Sequence, residues 1–494
     1  MYTTCVLAAL SLLSRGEMSE VETAVAEARK IWRVPGVAVV VVRDGQVSHL
    51  IGQGVRQIGR PEPMTPDTLF AISSCSKAFT SAALARLVEE GKANWDDPVR
   101  KHLPGFRLAD PLASQDVRLR DLLCHRTGLA ANELLWHGAP WSPEEAVRRA
   151  AFLPLTRPFR TSIQYQNTMV TAAGLAAGRA AGQSWADLIR TRLLEPLQLR
   201  QTYLDTASIP ATAPRAATHR LDDAGQAYSI PAYTWPTPDP AVSIHTTARD
   251  LGAWLCFHLS GGQADGKQVV GSRFLAETYT PHMPIPLSTH QKVLFPATVQ
   301  LSYALGWTVS DYHGLRLIAH GGSIDGSRCH VLFVPEKRFG LAVLANLHET
   351  PLTLALAHTL LDAQLDLPRR DWHALHRWLR LRLLNEATER GRERLLRRQV
   401  DGRPALPLTA FVGTYENLAY GNARLCLSEG RLHWLWQGRQ SVLDFSHDNT
   451  FTLADERIGE ADVVFSVEAG KVSGVHVGGR LAATFRKIHP SRSP

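Results

Sequence analysis

Two apolar runs near the start of the chain flank Asp44-Gly45 in "GVAVVVVRDGQVSHLIGQGVRQ". Asp-Gly is a preferred two-residue hairpin turn, so a pair of strands is predicted here. Residues 19–34 before it are spaced as a helix. "LFAISSCSKAFTSAALARLVEEGK" follows and predicts a helix from about Ser74 to Glu90, stopped by Gly91. Residues 95–200 break into helical segments separated by Pro and Gly. Residues 205–242 are rich in Pro, Thr and Ala and read as a long loop, and "TTARDLGAWLCFHLSGG" reads as a further helix. Strand-like runs close the region: "LSYALGWTVS", "LRLIAHGG", "CHVLFVP" and "FGLAVLAN". Strands at both ends with helices between them predict an α+β domain whose sheet joins its two ends.

The pattern changes after residue 369. Residues 369–399 mix many arginines with Trp372, Leu375, Trp378, Leu379, Leu381, Leu384 and Leu395, the composition of an amphipathic helix on a domain seam. Beyond it, "AFVGTYEN", "ARLCLSEGRLHWLWQG", "DNTFTLAD", "ADVVFSVEAGKVSGVHVGG" and "LAATFRKI" are short alternating strands between Gly, Asn and Asp turns. The expected organisation is an extension or signal-like segment at 1–18, an α+β domain at 19–368, a basic linker helix at 369–400 and an all-β module at 401–494.

Composition narrows the function. At 494 residues, with 45% hydrophobic and 20% charged, the chain is long enough for a buried active site in a globular fold. The net charge of +8 is concentrated in the 369–399 segment. Its interleaved apolar residues argue for a packed helix, and no nucleic-acid motif accompanies it. Six cysteines, at 5, 75, 124, 256, 329 and 426, show no CxxC, so neither a disulfide framework nor a zinc site is expected. No cofactor motif and no HExxH are found. The opening "MYTTCVLAALSLLSRGEMSEV" reads either as a signal peptide or as an extension with Met18 as the true start. No run is long enough for an integral membrane helix. Cytoplasm and periplasm both stay open.

Three short stretches have the residue types of a nucleophilic site. Ser74 and Lys77 lie i, i+3 on one helix face. A serine at a helix N-terminus feels a dipole that favours an oxyanion, and a desolvated lysine one turn away gives up its proton more readily. The plainer reading is a capped helix with a surface lysine. "QYQNTMVTAAGLAAG" offers Tyr165 and Asn167 ahead of a small-residue helix; Asn is also an ordinary helix cap. A tyrosine beside an ammonium is expected to have a lowered pKa and to act as acid/base. "LIAHGGSIDG" offers His320, Gly321, Gly322 and Ser323. It reads as a strand edge with a turn, or as glycines that let a substrate backbone approach.

Ser-x-x-Lys, Tyr-x-Asn and His-Gly-Gly in this order resemble the class C β-lactamase and penicillin-binding-protein-like serine hydrolases. The segments "VPGVAVVVVRDGQV", "VRLRDLLCHRTGL", "YALGW" and "VPEKRFGLAVLAN" carry the resemblance across about residues 36–350. The C-terminal part is similar to the lipocalin-like barrel of some members. The resemblance implies an antiparallel sheet flanked by helices. It implies Ser74 as the acylated nucleophile, Lys77 as its activator and Tyr165 as acid/base. Asn167 and His320 would bind substrate, and the N–H groups of Ser74 and Ser323 would hold the oxyanion beside Gly321 and Gly322.

Where β-lactamases carry a Lys-Thr-Gly, this chain has His320-Gly321-Gly322. A mostly neutral histidine offers a β-lactam carboxylate no permanent charge. Amide or peptide hydrolysis therefore ranks first, ester hydrolysis or acyl transfer second and β-lactam hydrolysis third. A non-catalytic binding protein on this fold is the reading from another class. The expected partner is a small-molecule, peptide or ester substrate, with no nucleic acid. Loops 205–242 and 281–300 are expected to wall the cleft. Cys75, His125 and His245 are read as structural.

Overall fold

The computed structural model describes residues 15–398 and 402–488. The signal-like or extension reading of the N-terminus falls mostly on residues 1–14, outside the described residues. Helix α1 (Arg15–Ile31) leads into strands β1 (Gly36–Arg43) and β2 (Gln46–Gly54). Asp44 and Gly45 between them both have positive φ, at 52° and 78°, as a tight turn matched to the strand twist requires. Helices α2 (Ser76–Glu89), α3 (Asn167–Ala181) and α4 (Ala248–Leu259) belong to the middle of the chain. Strands β3 (Met283–Pro284), β4 (Leu301–Tyr303), β5 (Thr308–Tyr312), β6 (Leu315–Ile324), β7 (Ser327–Val334) and β8 (Phe339–Ala345) follow.

These eight strands form one antiparallel sheet in the order β2-β1-β8-β7-β6-β5-β4-β3. The N-terminal hairpin joins the late strands through β1 and β8, as the apolar runs at the two ends of the domain predicted. Both faces of the sheet are buried. On the inner face Ile318, Val331 and Phe333 pack with Phe79 of α2 and Trp254 of α4. On the outer face Leu317, Ala319 and Leu332 pack with Val21 and Val25 of α1 and with Leu356 and Leu360 of α5 (Leu352–Gln364). Even-numbered residues of β6 therefore face inward and odd-numbered ones outward, the period of a pleated strand.

Helix α6 (Trp372–Leu396) is the predicted basic segment. Trp372 and His376 are its buried residues, Trp372 in the outer-face core, while Leu381, Leu384 and Leu395 are exposed. The last eight strands are β9 (Gly413–Asn417), β10 (Gly421–Ser428), β11 (Arg431–Trp436), β12 (Arg439–His447), β13 (Thr450–Asp455), β14 (Gly459–Glu468), β15 (Lys471–Val477) and β16 (Ala483–Ile488). They close into a barrel through pairing of β9 with β16, in agreement with the lipocalin-like expectation. Closure removes the open sheet edges that such a module would otherwise expose. No described helix is long and apolar enough to cross a membrane.

The loops differ from expectation. Residues 205–242 include a hairpin, Thr218–Leu221 with Ala227–Ile230. Residues 281–300 include β3 and a helix at Thr289–Leu294, and Phe295 packs on Trp372 at 5.2 Å. That loop covers the outer-face core and does not wall the cleft, because its large apolar residue is used to seal α6.

Candidate active site

Ser74 lies in a single 3₁₀ turn, Ser73–Cys75, immediately before α2. Ser73 has φ of +45°, a left-handed conformation that costs an L-residue about 1–2 kcal/mol. Contacts hold it there: Ser73 Oγ donates to the Ser323 carbonyl at 2.9 Å, and the Ile72 N–H donates to the Ile244 carbonyl at 3.0 Å. The turn lies directly on β6. A Cβ at Gly322 would sit 1.9 Å from the Ile72 carbonyl oxygen. Gly322 therefore admits the protein's own backbone rather than a substrate's, which corrects the sequence reading of that glycine. The strand also does not end at His-Gly-Gly; it runs on to Ile324 and turns at Asp325-Gly326.

Lys77 is fully buried. Its Nζ donates to Ser74 Oγ at 3.0 Å, to Asn167 Oδ1 at 2.6 Å and to the Ala241 carbonyl at 3.2 Å. Those three bonds use all three ammonium donors. Burial lowers the Lys77 pKa to about 7, against the upward pull of the Glu133 and Asp239 carboxylates. A lysine so placed exchanges its proton near neutrality and touches the serine hydroxyl.

Tyr165 precedes α3 and its hydroxyl faces the Ser74 side chain closely enough to interact with it. Lys77 Nζ lies 4.8 Å from the centre of the Tyr165 ring. His125 packs on that ring at 4.3 Å and accepts the Gln166 N–H on Nδ1, so it supports the site from behind. The expectation of a lowered tyrosine pKa is reversed: burial pushes the phenol up and outweighs its interaction with Ser74. Lys77 is thus the group that titrates near pH 7, and Tyr165 stays protonated. His245 is buried away from the cleft, packed on Trp235 at 5.5 Å. Cys75 faces inward and its Sγ donates to the His320 carbonyl at 3.4 Å.

His320 is on the inner face and is not part of the cleft wall. Its Nδ1 is 2.8 Å from the Gly321 carbonyl and its Nε2 is 2.8 Å from the Tyr303 hydroxyl. This pairing assigns the proton to Nδ1, with Nε2 accepting from Tyr303. Burial lowers its pKa to about 3, so the ring is neutral.

Beyond Ala319, which pairs with Thr308, β6 has no partner strand on the β5 side among the described residues. Ile324 and Ser327 close the two-residue turn and so exchange hydrogen bonds, which makes the next pair, Ser323 and Arg328, a non-bonded one. The Ser323 N–H and C=O therefore point off β7, toward Ser74. The Ser73 contact with the Ser323 carbonyl is the direct sign of this. A cleft of about 310 Å³ opens there, lined by Ser74, Tyr165, Asn167 and Ser323 and by Glu133, Trp136 and His137 opposite.

Sequence comparison assigns the larger domain. A Beta-lactamase family model matches residues 21–365. The chain belongs to the Beta-lactamase family. Residues 397–491 of this family member match a domain of unknown function, DUF3471. An unguisins hydrolase of Aspergillus campestris is 29% identical over 81% of the chain and 76% of the relative. Penicillin-binding protein 4 of Amycolatopsis lactamdurans is 30% identical over 63% of the chain and 81% of the relative. Among solved structures, the octameric penicillin-binding protein homologue from Pyrococcus abyssi superimposes with a TM-score of 0.63 at 20% identity. It covers 92% of this chain and 97% of its own. That likeness is one of fold. The Beta-lactamase family domain is a serine hydrolase domain whose relatives include hydrolases and penicillin-binding proteins.

Sequence reasoning missed Glu133. Its carboxylate accepts from Asn167 Nδ2 at 3.4 Å and lies in the cleft wall. Asn132 before it is left-handed at φ of +45°, and the barrel's Tyr420 hydroxyl donates to Asn132 Oδ1 at 3.1 Å. Arg457 of the barrel donates to the His137 carbonyl at 2.8 Å, and Arg480 lines the cleft. Tyr233 of the 205–242 segment stacks on His137 at 4.8 Å. The one available signal was an acidic residue, "ANELLW", a few positions after the family-like "LLCHRTGL".

Proposed function

We propose that this chain hydrolyses an amide or peptide bond through an acyl-enzyme on Ser74. The observation that carries the reading is the contact of the buried Lys77 Nζ with Ser74 Oγ at 3.0 Å. Neutral Lys77 takes the Ser74 proton as Oγ attacks the substrate carbonyl carbon. The carbonyl oxygen becomes an oxyanion, held by the N–H groups of Ser74 and Ser323. Collapse breaks the carbon–nitrogen bond. Tyr165 gives its proton to the leaving nitrogen and is reprotonated from the Lys77 ammonium, so no free phenolate accumulates. Water then attacks the ester, loses a proton through the same two groups and restores Ser74. Asn167 keeps Lys77 in place and borders the substrate.

Amides rank above β-lactams because His320 is held inward by Tyr303 and supplies no cation at the position of the β-lactamase lysine. The name of the unguisins hydrolase relative supports a hydrolase. The test is one panel with Ser74→Ala alongside: a p-nitrophenyl butyrate ester, L- and D-aminoacyl p-nitroanilides, short peptides and a chromogenic cephalosporin. Ser74-dependent cleavage of anilides or peptides is expected. Ester cleavage alone would move the reading to an esterase or acyltransferase, and silence across the panel would favour a binding protein.

A further inference from the structure

A second cavity lies across β6 from the catalytic cleft. It is about 570 Å³, against about 310 Å³ for the cleft. Gly321, Ser323 and His330 of the hairpin form one side, with Leu354 of α5 and His376 and Leu383 of α6 opposite. Arg328 and Glu349 border both cavities, so the two adjoin.

Strand geometry says what reaches it. An extended acyl group that pairs with the free edge of β6 bonds to the Ser323 N–H and C=O and so places one residue directly opposite Ser323. That residue supplies the carbonyl that meets Ser74. Directly opposed residues of an antiparallel pair send their side chains to the same face. Ser323 is odd-numbered and faces outward with Gly321, whereas Gly322 and Ile324 face the inner core. An L side chain opposite Ser323 therefore leaves on the outer face, over Gly321. A Cβ on that glycine would meet only ordinary contacts, His330 Nδ1 at 3.6 Å and the Cys329 carbonyl oxygen at 3.8 Å. For a D-residue the side chain takes the direction of the L-residue's Hα. At a hydrogen-bonded position this points away from the partner strand, across the cleft toward Glu133 and Trp136.

The cavity wall is mainly apolar, but the residues that line it include three buried side-chain nitrogens without a partner: Arg328 Nε, His330 Nδ1 and His376 Nε2. Burial keeps the His330 and His376 imidazoles neutral, with pKa values lowered to about 3 and about 4. A buried polar atom without a partner is costly unless a ligand or water satisfies it. We propose that the outer-face cavity is the subsite for an L-residue at the attacked carbonyl, accepting large apolar side chains that end in a hydrogen-bonding group, such as tyrosine. The proposal rests on the Ser74 acyl-enzyme.

The test uses the p-nitrophenyl esters of N-acetylglycine, N-acetyl-L-tyrosine and N-acetyl-D-tyrosine with the full-length protein. Wild type is expected to prefer the L-tyrosine over the glycine ester by roughly tenfold or more in kcat/KM. Leu383→Trp and Leu354→Trp, which fill the cavity from different helices, should each erase most of that preference and leave the D-tyrosine to glycine ratio within about twofold. An L-tyrosine preference that is absent, or that survives in whichever filled variant folds, overturns the subsite. Equal loss for both enantiomers does so too. Absence of Ser74-dependent turnover of even the glycine ester sinks the acyl-enzyme reading, and the subsite falls with it.

Discussion

Lys77 donates to Asn167 at 2.6 Å, a closer contact than its 3.0 Å bond to the Ser74 hydroxyl. The Asn167 amide is thereby oriented, oxygen to Lys77 and nitrogen to Glu133. A carboxylate, an amide, an ammonium and a hydroxyl form one chain from the cleft wall to Ser74. Its charge is set by the groups around Lys77: Glu133 and Asp239 stabilise the ammonium, while burial opposes it. His125 and His320 nearby are neutral.

The acid limb of kcat/KM should therefore follow Lys77, with activity rising through about pH 7 as the ammonium loses its proton. Glu133→Gln removes a negative charge that favours the protonated lysine. The limb should move to lower pH, and a pH–rate profile of the variant checks this. An unmoved limb, or one displaced to higher pH, would assign the titration to another group.

Ser74→Ala should reduce turnover by about 10⁴-fold or more, since the covalent route is lost. The fold should persist, because Ser74 is only partly buried and its turn is tied down by Ser73 and Ile72. Turnover, circular dichroism and the mass shift of a fluorophosphonate adduct on wild type read the two halves of this expectation. A fully active alanine variant would remove Ser74 from the mechanism.

Tyr165→Phe keeps the ring that packs on His125 and loses only the hydroxyl that interacts with Ser74. A cost of about 10²–10⁴-fold in kcat is expected for loss of an acid/base group. A loss below tenfold would leave proton transfer to Lys77 alone. The ratio of amide to ester turnover is the sharper readout, since an amine leaving group needs protonation and p-nitrophenolate does not.

What was legible in the sequence was local. Ser74 and Lys77 share a face because three residues separate them by one turn, and Tyr165 and Asn167 arrive together at one helix start. The barrel strands were legible from alternation and turns, while their closure depended on β9 meeting β16, a long-range pairing that alternation does not encode. Glu133 was not legible because its partner Asn167 is 34 residues away and is reached through a left-handed Asn132 held by the barrel. The direction of the Tyr165 shift was misread for the same kind of reason: a neighbouring ammonium is visible as a motif, but burial by His125 and Tyr303 is a property of the fold.

Gly321 and Gly322 look equivalent in sequence and face opposite sides of β6. Alanine at 322 would place its Cβ 1.9 Å from the Ile72 oxygen, a backbone atom one residue before the Ser73 turn. Either the strand or the Ser73–Cys75 turn must shift, so a stability loss of about 1–3 kcal/mol and a large fall in kcat are expected together. Alanine at 321 meets its nearest atom at 3.6 Å, ordinary contact, and should cost little stability. Thermal unfolding and kcat of the two variants side by side check the contrast. Equal penalties would mean that both glycines serve the strand's own conformation, and that the close approach to Ile72 is not what fixes the serine.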